Sequence, residues 1–147
     1  MCFPNTPKRS TRLRSARGIV FLTVDEVRSY HDDILLPGQL AGEDKAKLEG
    51  AVSRVEAQVA YLQLSDDVLE IAAAYAVNIS RAHAFTDGNK RTALLSMLMF
   101  LEHHGYDVDV DPYALADKME ACAAGTVTDQ ELWKFIFDHL SPYDPPV

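Results

Sequence analysis

The chain lacks most of the features that mark several large protein classes. Only two of its 147 residues are cysteines, Cys2 and Cys122, too few for a disulfide framework and without the spacing of a zinc site. The longest apolar run, residues 94–101, is interrupted by Ser96 and falls far short of the roughly 20 residues that a membrane-spanning helix needs. The sequence contains no internal repeat and no low-complexity segment. These absences argue against a disulfide-stabilised secreted domain, a zinc finger and a membrane protein.

Basic residues are scarce outside the first 17 positions. That segment contains no acidic residue and five basic ones: Lys8, Arg9, Arg12, Arg14 and Arg17. Residues 18–147 therefore hold nine of the 14 basic residues and all 22 acidic residues, which gives them a net charge of −13. A body this acidic repels nucleic-acid phosphates, so general nucleic-acid binding is not expected. A basic cluster within this body stands out for the same reason.

We expect one domain, residues 18–141, flanked by two tails. Hydrophobic residues make up 48% and charged residues 24% of the chain, which is typical of a globular domain with a single core. Residues 1–17 are expected to be a disordered basic tail, with a partner-binding arm, a transit peptide and an early start codon as open alternatives. No apolar segment follows these charges as in a secretory signal, and we expect a cytoplasmic protein. Residues 142–147 form a Pro-rich tail.

Helical patterns dominate the body. Thr23 and Glu26 form a capping-box pattern, which predicts a helix from there to about Ile34. Proline and glycine then predict a loop or small flap over residues 35–42. A long helix is predicted over residues 44–63, where apolar residues recur at helical spacing.

Two strongly apolar helices follow. The first is predicted to begin at Ser65 or Asp66 and to run to about Ile79, and it is apolar nearly all round, which favours the centre of a bundle. The second begins after Asp87 and ends before Gly105.

The remaining segments are shorter. Residues 18–22 and 106–111 favour extended structure, Pro112 opens a helix to about Ala123, and Thr128 caps a last helix that ends near His139 or Leu140. The sequence therefore predicts an all-α fold of about six helices.

The densest polar segment of the body, residues 81–91, joins the two most apolar helices. Polar groups beside a core cost free energy unless they are paired or functional, so this placement indicates a site. The second helix begins at Asp87, Gly88 and Asn89, where free N–H groups and the positive dipole end attract an anion. Lys90 and Arg91 add two cations that the helix dipole disfavours unless an anion binds.

The same segment holds groups for acid–base and metal chemistry. His83, at the end of the preceding helix, can take a proton from an attacking hydroxyl. Asp87 is the nearest carboxylate and can hold Mg²⁺ against phosphate oxygens. Phe85 lies between them and is expected to point inward. This combination predicts phosphoryl or nucleotidyl transfer.

Residues 83–91, His-Ala-Phe-Thr-Asp-Gly-Asn-Lys-Arg, resemble the H-x-F-x-[DE]-x-N-[GK]-R signature of the Fic/Doc superfamily. Lys90, followed by Thr92, Ala93 and Leu94, resembles the Doc (death-on-curing) toxin branch. The segments that flank the signature are also similar to the family's: residues 22–27, 54–61, 100–105 and 124–128. The resemblance implies a compact helical bundle with a short flap, here at residues 38–42, that holds the target segment.

The resemblance also implies cofactors and residue roles. ATP is the implied cosubstrate and Mg²⁺ the metal, with Asp87 as the metal contact and His83 as the general base. The implied catalytic residues are His83, Asp87, Lys90 and Arg91. The implied nucleotide-binding residues are Arg81, Gly88, Asn89, Lys90 and Arg91.

Lys90 bears on the reaction type. Most Fic enzymes have Gly at this position and transfer AMP, whereas Doc-type proteins have Lys, bind the nucleotide in the opposite sense and transfer the γ-phosphate. The second Arg of adenylylating enzymes is Leu94 here, and the usual Pro after the histidine is Ala84. The resemblance therefore implies a toxin kinase that phosphorylates a Thr or Ser hydroxyl of a translation factor such as elongation factor Tu and so arrests translation.

The resemblance also implies a partner. The inhibitory sequence of many Fic proteins, [ST]-x-x-x-E-[GN], occurs nowhere in this chain, so control is expected from a separate Phd-like antitoxin. No direct nucleic-acid or membrane partner is expected. Two alternatives stay open: a Fic-type protein adenylyltransferase, and a non-catalytic Fic-fold module that binds an antitoxin.

Overall fold

The computed structural model describes residues 18–61 and 67–142. Within these ranges the chain forms six α-helices and two short strands, which confirms the predicted all-α class. The basic segment 1–17 and residues 143–147 lie outside the described residues. In chain order the elements are α1 Val24–Ile34, α2 Lys45–Ala60, α3 Val68–Ala82, α4 Asn89–His103, β1 Tyr106–Val108, α5 Pro112–Ala123, α6 Asp129–Asp138 and β2 Leu140–Pro142.

Helix α3 lies at the centre of the bundle, as its all-round apolar pattern predicted. Nine of its 15 residues are buried, and it packs most extensively against α4 and then against α2. Tyr75 of α3 and Phe100 of α4 are both fully buried, with ring centroids 5.3 Å apart. The α3–α4 pair therefore forms the rigid support for the segment that joins these two helices.

Helix boundaries follow the capping residues closely. The capping box of α1 is confirmed: Thr23 Oγ1 accepts the Glu26 N–H at 3.1 Å, and Glu26 Oε1 accepts the Thr23 N–H at 2.9 Å. Helix α2 ends at Ala60, three residues before the predicted end. Helix α3 begins at Val68, later than predicted, because the side chain of Asp67 supplies the N-cap.

The extended segments differ from expectation. Residues 18–22 form no strand; side chains hold them instead, since the Leu22 N–H donates to Tyr75 Oη and the Val20 N–H to His104 Nε2, both at 2.9 Å. Strand β1 pairs antiparallel with β2, which the sequence did not predict, and Tyr106 lies opposite Pro142 of the expected tail. None of the described helices is long and apolar enough to cross a membrane.

Stability is expected to fall in mild acid because of His104. This buried imidazole donates from Nδ1 to the Phe100 carbonyl at 2.7 Å and accepts at Nε2, so it is neutral in the fold. Burial lowers its pKa, while the Phe100 bond opposes that shift. Its contribution to stability is therefore present above the unfolded pKa, about 6.5, and is lost as the pH falls below that value.

Urea unfolding at about pH 7.5 and pH 5.5 measures this effect. The free energy of unfolding should decrease by at most about 1.4 kcal/mol per pH unit from this one group. The His104→Phe variant keeps a ring against Phe100 but cannot titrate, so its decrease should be smaller. Equal pH dependence in both proteins would contradict the assignment.

Candidate functional site

A cavity of about 920 Å³ lies at the N-terminal end of α4. This volume is in the range of pockets that hold small-molecule ligands. One side of the cavity is largely apolar and includes Met97, Met119 and Trp133, which come from α4, α5 and α6. Every residue that the sequence predicted for the site lines the cavity: Arg81, His83, Asp87, Gly88, Asn89, Lys90 and Arg91.

His83 ends α3 in an unusual backbone conformation. Its φ of 49° and ψ of 44° are left-handed, and among the described residues it is the one non-glycine residue with positive φ. This conformation costs about 1 kcal/mol or more for an L-residue, and such strain is concentrated at functional sites. The side chain is exposed and makes no hydrogen bond within the described part of the chain. Its imidazole is therefore free to meet a ligand.

Gly88 forms the N-cap of α4. Its φ is 83°, a region that glycine adopts readily, and no side chain caps this helix end. A Cβ built at Gly88 would lie 2.9 Å from Ile34 Cδ1, so the α1 side of the turn is also closely packed. The first-turn N–H groups of α4 have no intrahelical acceptors, which makes this end suited to an anion.

The side chain of Asn89 closes the loop between α3 and α4. Its Oδ1 accepts the Phe85 N–H at 3.0 Å, and its Nδ2 donates to the Phe85 carbonyl at 2.8 Å. Phe85 itself is 4% exposed, which confirms that it points inward. The loop from His83 to Asn89 is thus fixed by its own side chains.

Residues 35–42, which we call the flap, contact the polar end of the cavity directly. Asp87 Oδ2 accepts the Leu40 N–H at 2.8 Å. Arg91 donates from Nη2 to Gln39 Oε1 at 2.8 Å, and from Nη1 to the carbonyl of Ile34, the last residue of α1, at 3.4 Å. The conformation of the flap is therefore coupled to the carboxylate and the guanidinium predicted for catalysis.

The end of the flap is joined to the loop and to α1. Glu43 and Phe85 form an antiparallel bridge, and the Thr86 N–H donates to the Gly42 carbonyl at 2.9 Å. A Cβ at Gly42 would collide with Thr86 Oγ1, so a larger residue there would force the Thr86 side chain to move. Arg28 of α1 binds both Glu43 oxygens at 2.8 Å, and this hydrogen bonding lowers the pKa of that carboxyl.

The remaining predicted residues lie at the rim. Lys90 Nζ pairs with Glu120 Oε1 of α5 at 3.1 Å, and both side chains are more than half exposed. Arg81 is exposed in the last turn of α3. Leu94 lines the cavity one turn after Lys90 and presents no charge there.

The described residues contain no cluster of three or more potential metal ligands. Asp87 alone still fits Mg²⁺, because this ion is usually held by one or two carboxylates together with phosphate oxygens and water. After its bond to Leu40 the carboxylate keeps lone pairs on Oδ1 for a cation.

His31 of α1 is a site residue that sequence reasoning missed. It is 1% exposed, stacks on Phe85 with centroids 3.8 Å apart, and places Nε2 2.7 Å from the Asp87 carbonyl. The available signal was its spacing, since Val27, His31 and Ile34 occupy one face of the helix. A histidine in the core-facing stripe needs a buried partner.

Comparison with known proteins places these features in context. The Fic/DOC family model matches residues 21–101, a range that includes the flap and the loop. The Protein kinase doc of Escherichia phage P1 is 38% identical over 109 residues, which cover 73% of this chain and 85% of that protein. Toxin Doc of Mycolicibacterium smegmatis is 37% identical over 90 residues, covering 54% of this chain and 69% of that protein.

A solved structure also superposes on the chain. It is the BepC protein, a VirB-translocated effector of Bartonella tribocorum, with bound AMPPNP, at 21% identity and a TM-score of 0.43. The match covers 75% of this chain and 57% of that chain, so this chain spans little more than half of BepC.

Proposed function

Because the chain belongs to the Fic/DOC family, in its Doc branch, we propose that it is a toxin kinase that transfers the γ-phosphate of ATP to a Thr or Ser hydroxyl of a translation factor. The relatives named Protein kinase doc and Toxin Doc support this choice. An elongation factor Tu-like protein is the proposed target, and translation arrest is the proposed result.

The proposal rests on one observation: a single cavity is lined by a base, a carboxylate, a helix N-terminus and several cations. The groups that line it are the His83 imidazole, which makes no hydrogen bond within the described residues, the uncapped helix end at Gly88, the Asp87 carboxylate and three cations, Arg81, Lys90 and Arg91. Phosphoryl transfer needs a base for the attacking hydroxyl and positive charge around the phosphates, with little other chemistry from the protein. These residues supply both.

The proposed reaction assigns one role to each group. His83 takes the proton of the target hydroxyl as its oxygen forms a bond to the γ-phosphorus, and ADP leaves as the bond from that phosphorus to its bridging oxygen breaks. Lys90, Arg91, Arg81 and the first-turn N–H groups of α4 bind the phosphates. Because the Asn89 side chain is hydrogen-bonded to the main chain of Phe85, Asn89 binds phosphate in this proposal through its main-chain N–H. Asp87 would hold Mg²⁺, which supplies charge neutralisation at the phosphate oxygens.

Two features favour γ-phosphate transfer over AMP transfer. Lys90 adds charge and bulk at the cavity rim, where Gly would leave open backbone. Leu94 presents an apolar side chain one turn further along α4, where adenylylating enzymes have a second Arg. A Lys at position 90 and no Arg at position 94 match the Doc pattern, which transfers the γ-phosphate, better than the adenylylating pattern.

Regulated expression in a bacterial host tests the toxin proposal. Induction should stop growth and amino-acid incorporation within minutes, and co-expression of a Phd-like antitoxin should restore both. Normal translation at a verified level of folded protein would contradict the proposal.

Glu120→Gln should strengthen ATP binding by about two- to fivefold at low salt. Lys90 is paired with Glu120 in the free protein, and the carboxylate repels a phosphate that takes its place. Calorimetric titration with Mg-ATP measures the change. Asp138→Asn is the matched control, because it removes a similarly exposed pair with Lys134 on α6, and neither residue lines the cavity. Unchanged or weaker binding by the Gln variant would contradict the role of Glu120.

A further inference from the structure

His31 lies against the turn that opens α4 and contacts it at three points. One face of its ring stacks on Phe85, with an interplanar angle of 9°. Its Cδ2 lies close to Gly88, where a Cβ built on the glycine would be 3.4 Å away. Its Nε2 is 2.7 Å from the carbonyl of Asp87, a residue 56 positions away in the chain.

These contacts fix the protonation site of the ring. A carbonyl oxygen only accepts hydrogen bonds, so Nε2 carries the proton and donates it to Asp87. On the other side, Nδ1 is 4.0 Å from an oxygen of Asp32, beyond hydrogen-bond distance. The ring is therefore a directional donor aimed at one main-chain oxygen.

The Asp87 carbonyl belongs to the peptide that leads into Gly88. Holding it sets the left-handed turn at Gly88 and therefore the direction of the first N–H groups of α4. It also limits the movement of the Asp87 carboxylate on the same residue. Asn89 holds the loop from within, whereas His31 holds it from the neighbouring helix.

We propose that His31 is a positioning residue for phosphate binding: from α1 it fixes the Asp87–Gly88 turn so that the helix end, and the carboxylate beside it, are preorganised for the nucleotide. This inference rests on the proposed function. It assigns His31 no contact with the ligand.

Two variants separate the effect of the His31–Asp87 hydrogen bond from the effect of ring stacking on Phe85. His31→Phe keeps a ring against Phe85 and leaves the buried Asp87 carbonyl without a donor, so affinity for Mg-AMPPNP should fall about tenfold. His31→Gln places an amide N–H near the position of Nε2 and should bind within about threefold of the unchanged protein.

His104→Phe is the matched control. His104 is also buried, bonded at 2.7 Å to a main-chain carbonyl and in contact with a phenylalanine ring, but at the opposite end of α4. Its variant should lose stability without losing nucleotide affinity. An affinity loss in His104→Phe equal to that of His31→Phe would mean a general effect of stability and would overturn the inference.

Amide hydrogen exchange of the ligand-free proteins gives a readout that does not depend on nucleotide. Exchange at the hydrogen-bonded amides of Phe85, Thr86 and Thr92 should rise at least about tenfold in His31→Phe and remain unchanged in His104→Phe. Unchanged exchange in His31→Phe overturns the inference even if the proposed function holds. Should the unaltered protein bind no Mg-AMPPNP, the proposed function fails, and exchange still decides whether His31 holds the turn. If His31→Phe does not fold, a tenfold loss in His31→Gln is the overturning result.

Discussion

Replacing His83 by alanine is expected to reduce phosphoryl transfer by about a hundredfold to ten-thousandfold, the usual contribution of a general base. The imidazole is exposed and makes no hydrogen bond within the described residues, so its removal should cost little stability. Binding of Mg-ATP should change little, because the proposed phosphate contacts are made by cations and main-chain N–H groups and not by His83. The loss should therefore appear in kcat and not in KM for ATP.

His103→Ala is the control for this experiment. His103 is exposed in the last turn of α4, at the end far from the cavity, so full activity is expected. Initial rates of phosphate transfer at saturating ATP compare the three proteins. More than a tenth of the original kcat in His83→Ala would show that another group accepts the proton.

Replacing Asp87 by asparagine is expected to lower activity by at least about a hundredfold, because Asp87 is the proposed magnesium ligand and a metal contact contributes several kcal/mol to transition-state stabilisation. The substitution is nearly isosteric, and the amide oxygen can still accept the Leu40 N–H. The flap contact should therefore survive while the negative charge is lost. Any residual activity should need far more Mg²⁺ for saturation.

A magnesium titration of the rate measures this effect, and Asp109→Asn is the control. Asp109 is an exposed carboxylate after β1, outside the cavity lining, so its variant should titrate like the original protein. An identical magnesium dependence in Asp87→Asn would show that Asp87 is not a magnesium ligand.

The parts of the fold that were predictable are encoded locally. The capping box of α1, the apolar surface of α3 and the Pro112 start of α5 lie within a few residues of the structure they determine. The start of α3 was missed because Ser65, Asp66 and Asp67 are consecutive residues that can each cap a helix. Strand β2 was missed because its pairing partner is more than 30 residues away and the pair is only three residues long.

The candidate site was likewise predictable only where its residues lie close together in the sequence. The loop from His83 to Arg91 is contiguous, so its residue types alone indicated which residues line the cavity and suggested the proposed chemistry. Its supports are distant in sequence: Leu40, Gln39 and His31 contact the loop or α4 across 47, 52 and 56 positions. No local pattern specifies such contacts, and packing of α1 against α4 creates them.

Intact-mass analysis of elongation factor Tu after incubation with this protein and Mg-ATP tests the central claim most directly. The account predicts a gain of one phosphate, which is absent with His83→Ala and retained with His103→Ala. A gain of one AMP would contradict γ-phosphate transfer and assign the cavity to adenylylation. No gain, from a protein shown to bind Mg-ATP, would contradict elongation factor Tu as the target.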